Sequence, residues 1–219
     1  MIWKRPEVFR IWGHNMSRLA DKYGLTIAVT GSEGEVSRNL ANEFSMCYHE
    51  WPNSPLGEKA NQRLKFAGAL NPDFVWLMGS DDIFTEKTVE YYLKKINQGY
   101  DEIASLDLYY YHYGDVIYSH GYQGKRLGEP IAPGRMLSAR VLDHYGWEMW
   151  NSSENKFLDG HVRNRVDQLD IKRHYFKHVE QGTCMMDIKT NENMTPYKLR
   201  SNYEKVSNKI LKDFHHTGS

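Results

Sequence analysis

The residues best placed for chemistry are Asp81 and Asp82, which close the stretch Phe74-Val75-Trp76-Leu77-Met78-Gly79-Ser80. A run apolar at nearly every position suits a strand buried on both faces, the habit of parallel α/β sheets. Ligands of such sheets bind beyond the carboxyl ends of the strands. Two carboxylates at that point suit a hard divalent cation and, through it, phosphates. The plainer role, a turn ahead of the next helix, has less need of them: Thr85 already serves as an N-cap, with Glu86 in the first turn.

The elements that would carry this pair follow from periodicity. Phe9, Trp12, Met16 and Leu19 mark a helix closed by Tyr23-Gly24, and Leu25 to Thr30 reads as a strand ended by Gly31-Ser32-Glu33-Gly34. Val36, Leu40 and Phe44 line a second helix, and Met46 to His49 a second strand. Ser54-Pro55 opens a third helix with Ala60, Leu64 and Ala67 inward, ending before Asn71-Pro72. After the acid-bearing strand, Val89, Tyr92, Leu93 and Ile96 make an amphipathic helix stopped by Gly99. This alternation predicts an α/β fold with a mostly parallel central sheet flanked by helices.

Beyond Tyr100 the pattern changes. Ile103 to His112 and Val116 to Tyr122 read as Tyr-rich strands around a Gly114-Asp115 hairpin turn. A helix from about Ser138 to Tyr145 precedes an aromatic loop, Trp147 to Lys156. Asp159 stands as the N-cap of a helix with Val162, Val166 and Leu169 on its face. Ile171–Val179 and Thr183–Ile188 read as strands, and Leu199, Tyr203, Val206 and Ile210 as the stripe of a last helix before a frayed 215–219 tail. One domain is expected, with a binding half at 1–99 and a second half at 100–219 that carries a small antiparallel part.

Composition narrows the class. With 28 basic and 28 acidic residues the chain is neutral, unlike a protein that grips long nucleic acid. Cys47 and Cys184 lack metal or redox spacing. No leader and no run near the ~20 residues of a spanning helix is visible. A soluble, cytoplasmic protein is therefore expected. The motifs GxGxxG and GxxxxGK[ST] are absent, and His49-Glu50 is no zincin site because residue 53 is Asn.

Several strings, taken in order, resemble small nucleotide-sugar glycosyltransferases of the GT-A fold, near the family 2 type. They are Trp3-Lys4-Arg5-Pro6, Gly31-Ser32-Glu33, Pro55 to Asn61, Phe74 to Asp82, Gly134 to Ser138, and Leu158-Asp159-Gly160. The resemblance spans nearly the whole chain and implies a Rossmann-like GT-A domain. Two features depart from the pattern: only a stub precedes Lys4, and the acidic motif reads Ser80-Asp81-Asp82 without the first acid of a strict DxD.

The resemblance implies transfer of a sugar from a nucleoside diphosphate sugar to a hydroxyl acceptor, assisted by Mn²⁺ or Mg²⁺. Such a cation offsets the growing charge of the leaving pyrophosphate. Asp82 would be the metal ligand and Asp81 a ribose or second metal contact. Asp159 would be the base of an inverting reaction, although Asp before Gly160 is also an ordinary N-cap. Arg5, Ser32, Lys59 and Asn61 would contact the donor. His178 is a late metal-ligand candidate, preferred to His174, and Asp187 a comparable outside choice. The acceptor would be a glycan, a small molecule or a modified DNA base, met by the Tyr-rich 105–125 region and the Trp147–Trp150 loop. Alternatives are a nucleotidyltransferase, which would normally show a Gly-rich basic loop after its first strand, and an inactive nucleotide-sugar-binding module.

Overall fold

The computed structural model describes residues 2, 4–155, 158–190 and 201–214, with the side chain of Asp159 outside that set. Helix α1 (Pro6–Tyr23) opens on proline, buries Phe9, Trp12, Met16 and Leu19, and stops at Gly24 in the left-handed region (φ 65°). Strands β1 (Ala28–Gly31) and β2 (Cys47–Glu50) run parallel on either side of α2 (Glu35–Asn42) in sequence. Ahead of them, the Ile2 N–H donates to the Thr30 carbonyl at 2.9 Å. Helix α3 (Leu56–Gly68), strands β3 (Phe74–Leu77) and β4 (Asp82–Phe84), and α4 (Glu86–Asn97) complete the first half.

The second half contributes β5 (Glu102–Ser105), β6 (Leu108–His112), β7 (Asp115–Ser119), β8 (Arg135–Ser138), α5 (Ala139–His144), α6 (Leu158–Val166), β9 (Arg173–Phe176), α7 (His178–Gln181), β10 (Met185–Lys189) and β11 (Tyr203–Val206). One sheet has the order β3-β8-β5-β9 and another β11-β7-β6-β10-β4. The α/β, Rossmann-like architecture is as expected. Strand pairing is more mixed than the alternation suggested: β1–β2, β5–β9 and β6–β10 are parallel, whereas β8 enters antiparallel between β3 and β5. The first-half strands do not pair only with one another, because later strands insert among them. Among the described residues no helix is long and apolar enough to cross a membrane.

Three local expectations are corrected. The single strand expected over 103–112 is two strands in different sheets, broken at Leu106-Asp107. Leu106 donates its N–H to Phe176 O at 2.7 Å, and the buried Asp107 carboxylate accepts from the His178 and Val179 N–H groups and from the Tyr118 hydroxyl. These bonds satisfy the break, so the ladder can change sheets there. The hairpin turn falls one residue earlier than expected, on Tyr113-Gly114, both at positive φ (47° and 89°), as a two-residue turn matched to strand twist requires. Tyr203 to Val206 form edge strand β11 on β7, not part of a helix; a short 3₁₀ helix, Asn208–Phe214, follows. Leu199 and the 215–219 tail lie outside the described residues.

His178 is not on a strand but begins α7, fully buried, with Nδ1 2.8 Å from Thr183 Oγ1. Burial pushes its pKa from 6.5 down to about 3. A buried neutral histidine binds fewer protons than it does in the unfolded chain at every pH between those values, so stability falls as pH drops below 6.5. From pH 6.5 to 5 this amounts to about 2 kcal/mol. Urea unfolding of wild type and His178→Gln at pH 7 and pH 5 should show the variant losing correspondingly less. Equal losses would mean that His178 titrates freely.

Candidate functional site

Asp81 and Asp82 follow β3 across the link Met78-Gly79-Ser80, and Asp82 is the first residue of β4. In the antiparallel β4–β10 pair Asp82 lies directly opposite Asp187, and Ile188 N–H donates to Asp81 O at 2.8 Å. Carboxylate oxygens of Asp81, Asp82 and Asp187 all lie within 4.8 Å of one another. Like charges directly opposite on a ladder repel, and these two are nearly dehydrated: Asp82 is 3 % exposed and Asp187 9 %. Burial first, then Asp81 and Asp187, holds the Asp82 carboxyl well above the usual range. Burial and Asp81 raise Asp187 to about 6.

The surroundings only partly offset this charge. The Gly79 N–H donates to Asp82 Oδ2 at 2.5 Å, and a Cβ on Gly79 would sit 2.5 Å from Asp81 Oδ1 and 2.8 Å from Asp82 Oδ2. Arg5, the N-cap residue of α1, donates to Asp81 Oδ2 at 2.6 Å and to Ser80 Oγ at 3.3 Å. Lys189 pairs with Asp187 Oδ2 at 2.5 Å. Asp187 Oδ1 is buried with no hydrogen-bond partner among the described residues. Three clustered carboxylates with an orphaned oxygen are the donor set a divalent cation of the Mg²⁺ or Mn²⁺ kind takes. The residues present fit such an ion.

The three acids line one wall of a cavity of about 330 Å³, together with Arg5 and Lys189. The cavity is also lined by Arg63 and Ala60 of α3, Arg135 of β8, Trp150, and Leu158 and Val162 one turn apart on α6. Helix α6 starts at Leu158, so Asp159 lies inside its first turn and not before it. Its side chain lies outside the described residues.

The other expected donor contacts are drawn into the scaffold. Lys59 is fully buried, and its Nζ donates to Ser32 Oγ and Asn53 Oδ1, both at 2.9 Å. Burial, reinforced by Arg63, lowers its pKa to about 8. Lys59 and Ser32 therefore meet, behind Asn53, which does line the cavity. Asn61 points elsewhere: Oδ1 accepts from the Met149 and Trp150 N–H groups at 3.0 Å, and Nδ2 donates to Trp150 O at 2.9 Å and Ser152 Oγ at 3.2 Å. It clamps the loop that carries Trp150 to the cavity. His178 does not join the acidic cluster; Asp187 does. Arg63 was missed by the sequence reading, whereas Arg135 and Trp150 entered it only through their segments, the Gly134–Ser138 string and the aromatic loop.

No family model matches the sequence, and no curated protein matches it. Among solved structures, the 1–349 segment of S. aureus TarS superposes with a TM-score of 0.54 at 11% identity over 80% of this chain and 59% of that one. The present chain thus spans little more than half of that structure. The inositol-1-phosphate CTP transferase from T. maritima superposes with a TM-score of 0.51 at 13% identity, over 84% of this chain and 78% of that one. Likeness at such identities defines the fold: this is a Rossmann-like α/β domain of the GT-A kind.

Proposed function

We propose that the chain is a divalent-cation-dependent transferase that binds a nucleoside diphosphate sugar and passes the sugar to a hydroxyl acceptor. The observation that carries this reading is the meeting of Asp81, Asp82 and Asp187 at the wall of a cavity. In a fold of this kind that is where a nucleotide's phosphates arrive. When bound, the cation would neutralise charge on the departing diphosphate. Asp82 and Asp187 would hold it, with Asp81 shared between it and Arg5. Lys59, Ser32 and Asn53 support the adjoining wall, and Trp150 offers an apolar face to a sugar ring. Asp159, in the helix whose Leu158 and Val162 face the cavity, is proposed as the base that takes the acceptor proton in an inverting reaction.

A nucleotidyltransferase is the second reading, favoured by the superposition on a CTP transferase. It would make an activated sugar from a sugar phosphate and a nucleoside triphosphate. Against it, β1 runs into Gly31-Ser32-Glu33-Gly34, which carries no Arg or Lys.

A thermal-shift panel of nucleoside diphosphates and their sugars, with and without Mn²⁺, tests the reading. A ligand at a hundred times its Kd adds about 2.7 kcal/mol, a rise of roughly 5–10 °C at this chain length. One nucleotide should act, and only with metal; no shift from any would sink the proposal. Pyrophosphate release from a nucleoside triphosphate and a sugar phosphate would select the second reading. Asp159→Asn should keep the donor shift and lose transfer by about a hundredfold or more. Unchanged transfer would remove Asp159 from the mechanism.

A further inference from the structure

Four cationic side chains line the cavity, and they divide into two pairs. Arg5 and Lys189 each hold a carboxylate of the acidic cluster, at 2.6 and 2.5 Å. Arg63 and Arg135 have no such bond. Arg135 is 2 % exposed, and its guanidinium lies 3.4 Å from Glu102 Oε1 without hydrogen-bond geometry. Glu102 balances the charge of Arg135 without closing its donors: its Oε2 accepts from the Tyr175 hydroxyl at 2.7 Å and lies 3.7 Å from Arg173, while its Oε1, which faces Arg135, is itself buried with no hydrogen bond among the described residues. Arg135 Nε and Nη1 are therefore buried donors with no acceptor among the described residues. Arg63 makes one long bond, 3.4 Å to Met78 O, and stands 6.0 Å over the Trp150 ring. Among the described residues it has no carboxylate within ion-pair distance.

A buried guanidinium with unused donors is costly. Each guanidinium is a planar fork that matches an oxyanion, and both of these, Arg135 buried and Arg63 half-buried, line one cavity. The sheet fixes the strand that carries Arg135: β8 pairs with β3 at Leu77↔Arg135 and, one and two residues on, with β5 at Ile103↔Met136 and Glu102↔Leu137. With its backbone fixed and its side chain buried beside Glu102, Arg135 has little freedom left to lose when a ligand arrives.

We infer that Arg63 and Arg135 form an anion subsite, separate from the acidic cluster but in the same cavity, that takes a phosphate or carboxylate group of the substrate. The choice of substrate class rests on the nucleotide-sugar reading; the existence of the subsite does not. The anion is either the donor's own diphosphate or a charged group on the acceptor. In both cases the guanidinium pair, unlike the acids, works without metal.

The test is calorimetric titration of inorganic pyrophosphate into the full chain in metal-free buffer. Binding is expected. It should weaken about tenfold or more in Arg135→Gln and in Arg63→Gln; Arg135→Lys, which keeps the charge opposite Glu102 and so guards against loss of fold, should also weaken it, because the planar fork is lost. Repeating the titration with protein saturated by Mn²⁺ and the nucleoside diphosphate that binds assigns the source. Continued binding gives the anion to the acceptor, and exclusion gives it to the donor. The inference is overturned if wild type does not bind pyrophosphate, or if folded Arg135→Gln and Arg63→Gln bind it as wild type does; Arg135 is then only a partner of Glu102. Loss of pyrophosphate binding alongside a persisting metal-dependent nucleotide shift would remove the subsite and leave the transferase reading standing. The reverse pattern would do the opposite.

Discussion

Replacing Asp82 by asparagine is expected to raise the melting temperature of the metal-free protein while abolishing its response to Mn²⁺ with nucleotide. Both effects have one cause. Asp82 faces Asp187 across a ladder and has Asp81 as its neighbour in sequence, so the metal-free site crowds three carboxylates, two of them where water scarcely reaches. An amide of the same shape can still accept the Gly79 N–H but carries no charge. Relief of buried like-charge repulsion and desolvation is worth about 2 kcal/mol, or roughly 4–8 °C for a domain of this size. The gain should grow with pH as the remaining acids ionise. Differential scanning of both proteins at pH 8, in chelator and then in Mn²⁺ with nucleotide, reads both arms. A variant that melts lower than wild type without metal, or that still gains stability with it, would show that the cluster is not a cation site.

Asn61→Ala should be the most destabilising single change near the cavity. Its carboxamide makes four hydrogen bonds to the 149–152 segment, three of them with the backbone of Met149 and Trp150. Alanine leaves those groups buried and unpaired, at about 1–3 kcal/mol each before water enters. A net loss of about 4 kcal/mol, or roughly 8–16 °C, is expected. The site should suffer too, because one helical turn earlier Gly57 meets the same loop: a Cβ there would lie 2.0 Å from Asn151 O. With the clamp released, Trp150 is no longer fixed against the wall, so nucleotide-sugar binding should weaken in whatever fraction stays folded. A loss below about 1 kcal/mol by urea unfolding would mean that the loop is held elsewhere.

Much of this was legible in the residues themselves. Asp81-Asp82 stood out because acids ending an apolar run have few structural uses, and Arg5 because a basic residue before the helix-opening Pro6 matched a recognisable string. The alternation of the first hundred residues gave the α/β class. What stayed hidden depends on partners distant in sequence. Asp187 could be named only as an outside metal candidate, because it reads as one acid in a short strand until β10 is known to lie beside β4. Arg135 reads as a surface residue in a Gly/Pro-rich stretch, because nothing local reveals Glu102 beneath it. Lys59 and Asn61 were marked as ligand contacts, yet their polar groups turn inward to hold Ser32 and the Trp150 loop. Strand β11 was misread because Tyr203, Val206 and Ile210 have helical spacing. An edge strand exposed along much of its length has no period-two pattern to contradict it.

The position of β10 has a consequence for how the protein comes into being. This strand lies between β6 and β4 and brings Asp187 to two acids made about a hundred residues earlier in the chain. During synthesis the N-terminal helices and strands can collapse first, but the slot between β6 and β4 stays open until residues 185–189 have left the ribosome. The acidic triad is therefore among the last features to close, and its closure requires contacts of long sequence separation, the slow kind. A growing chain would thus hold no complete seat for a cation until its fold was almost finished.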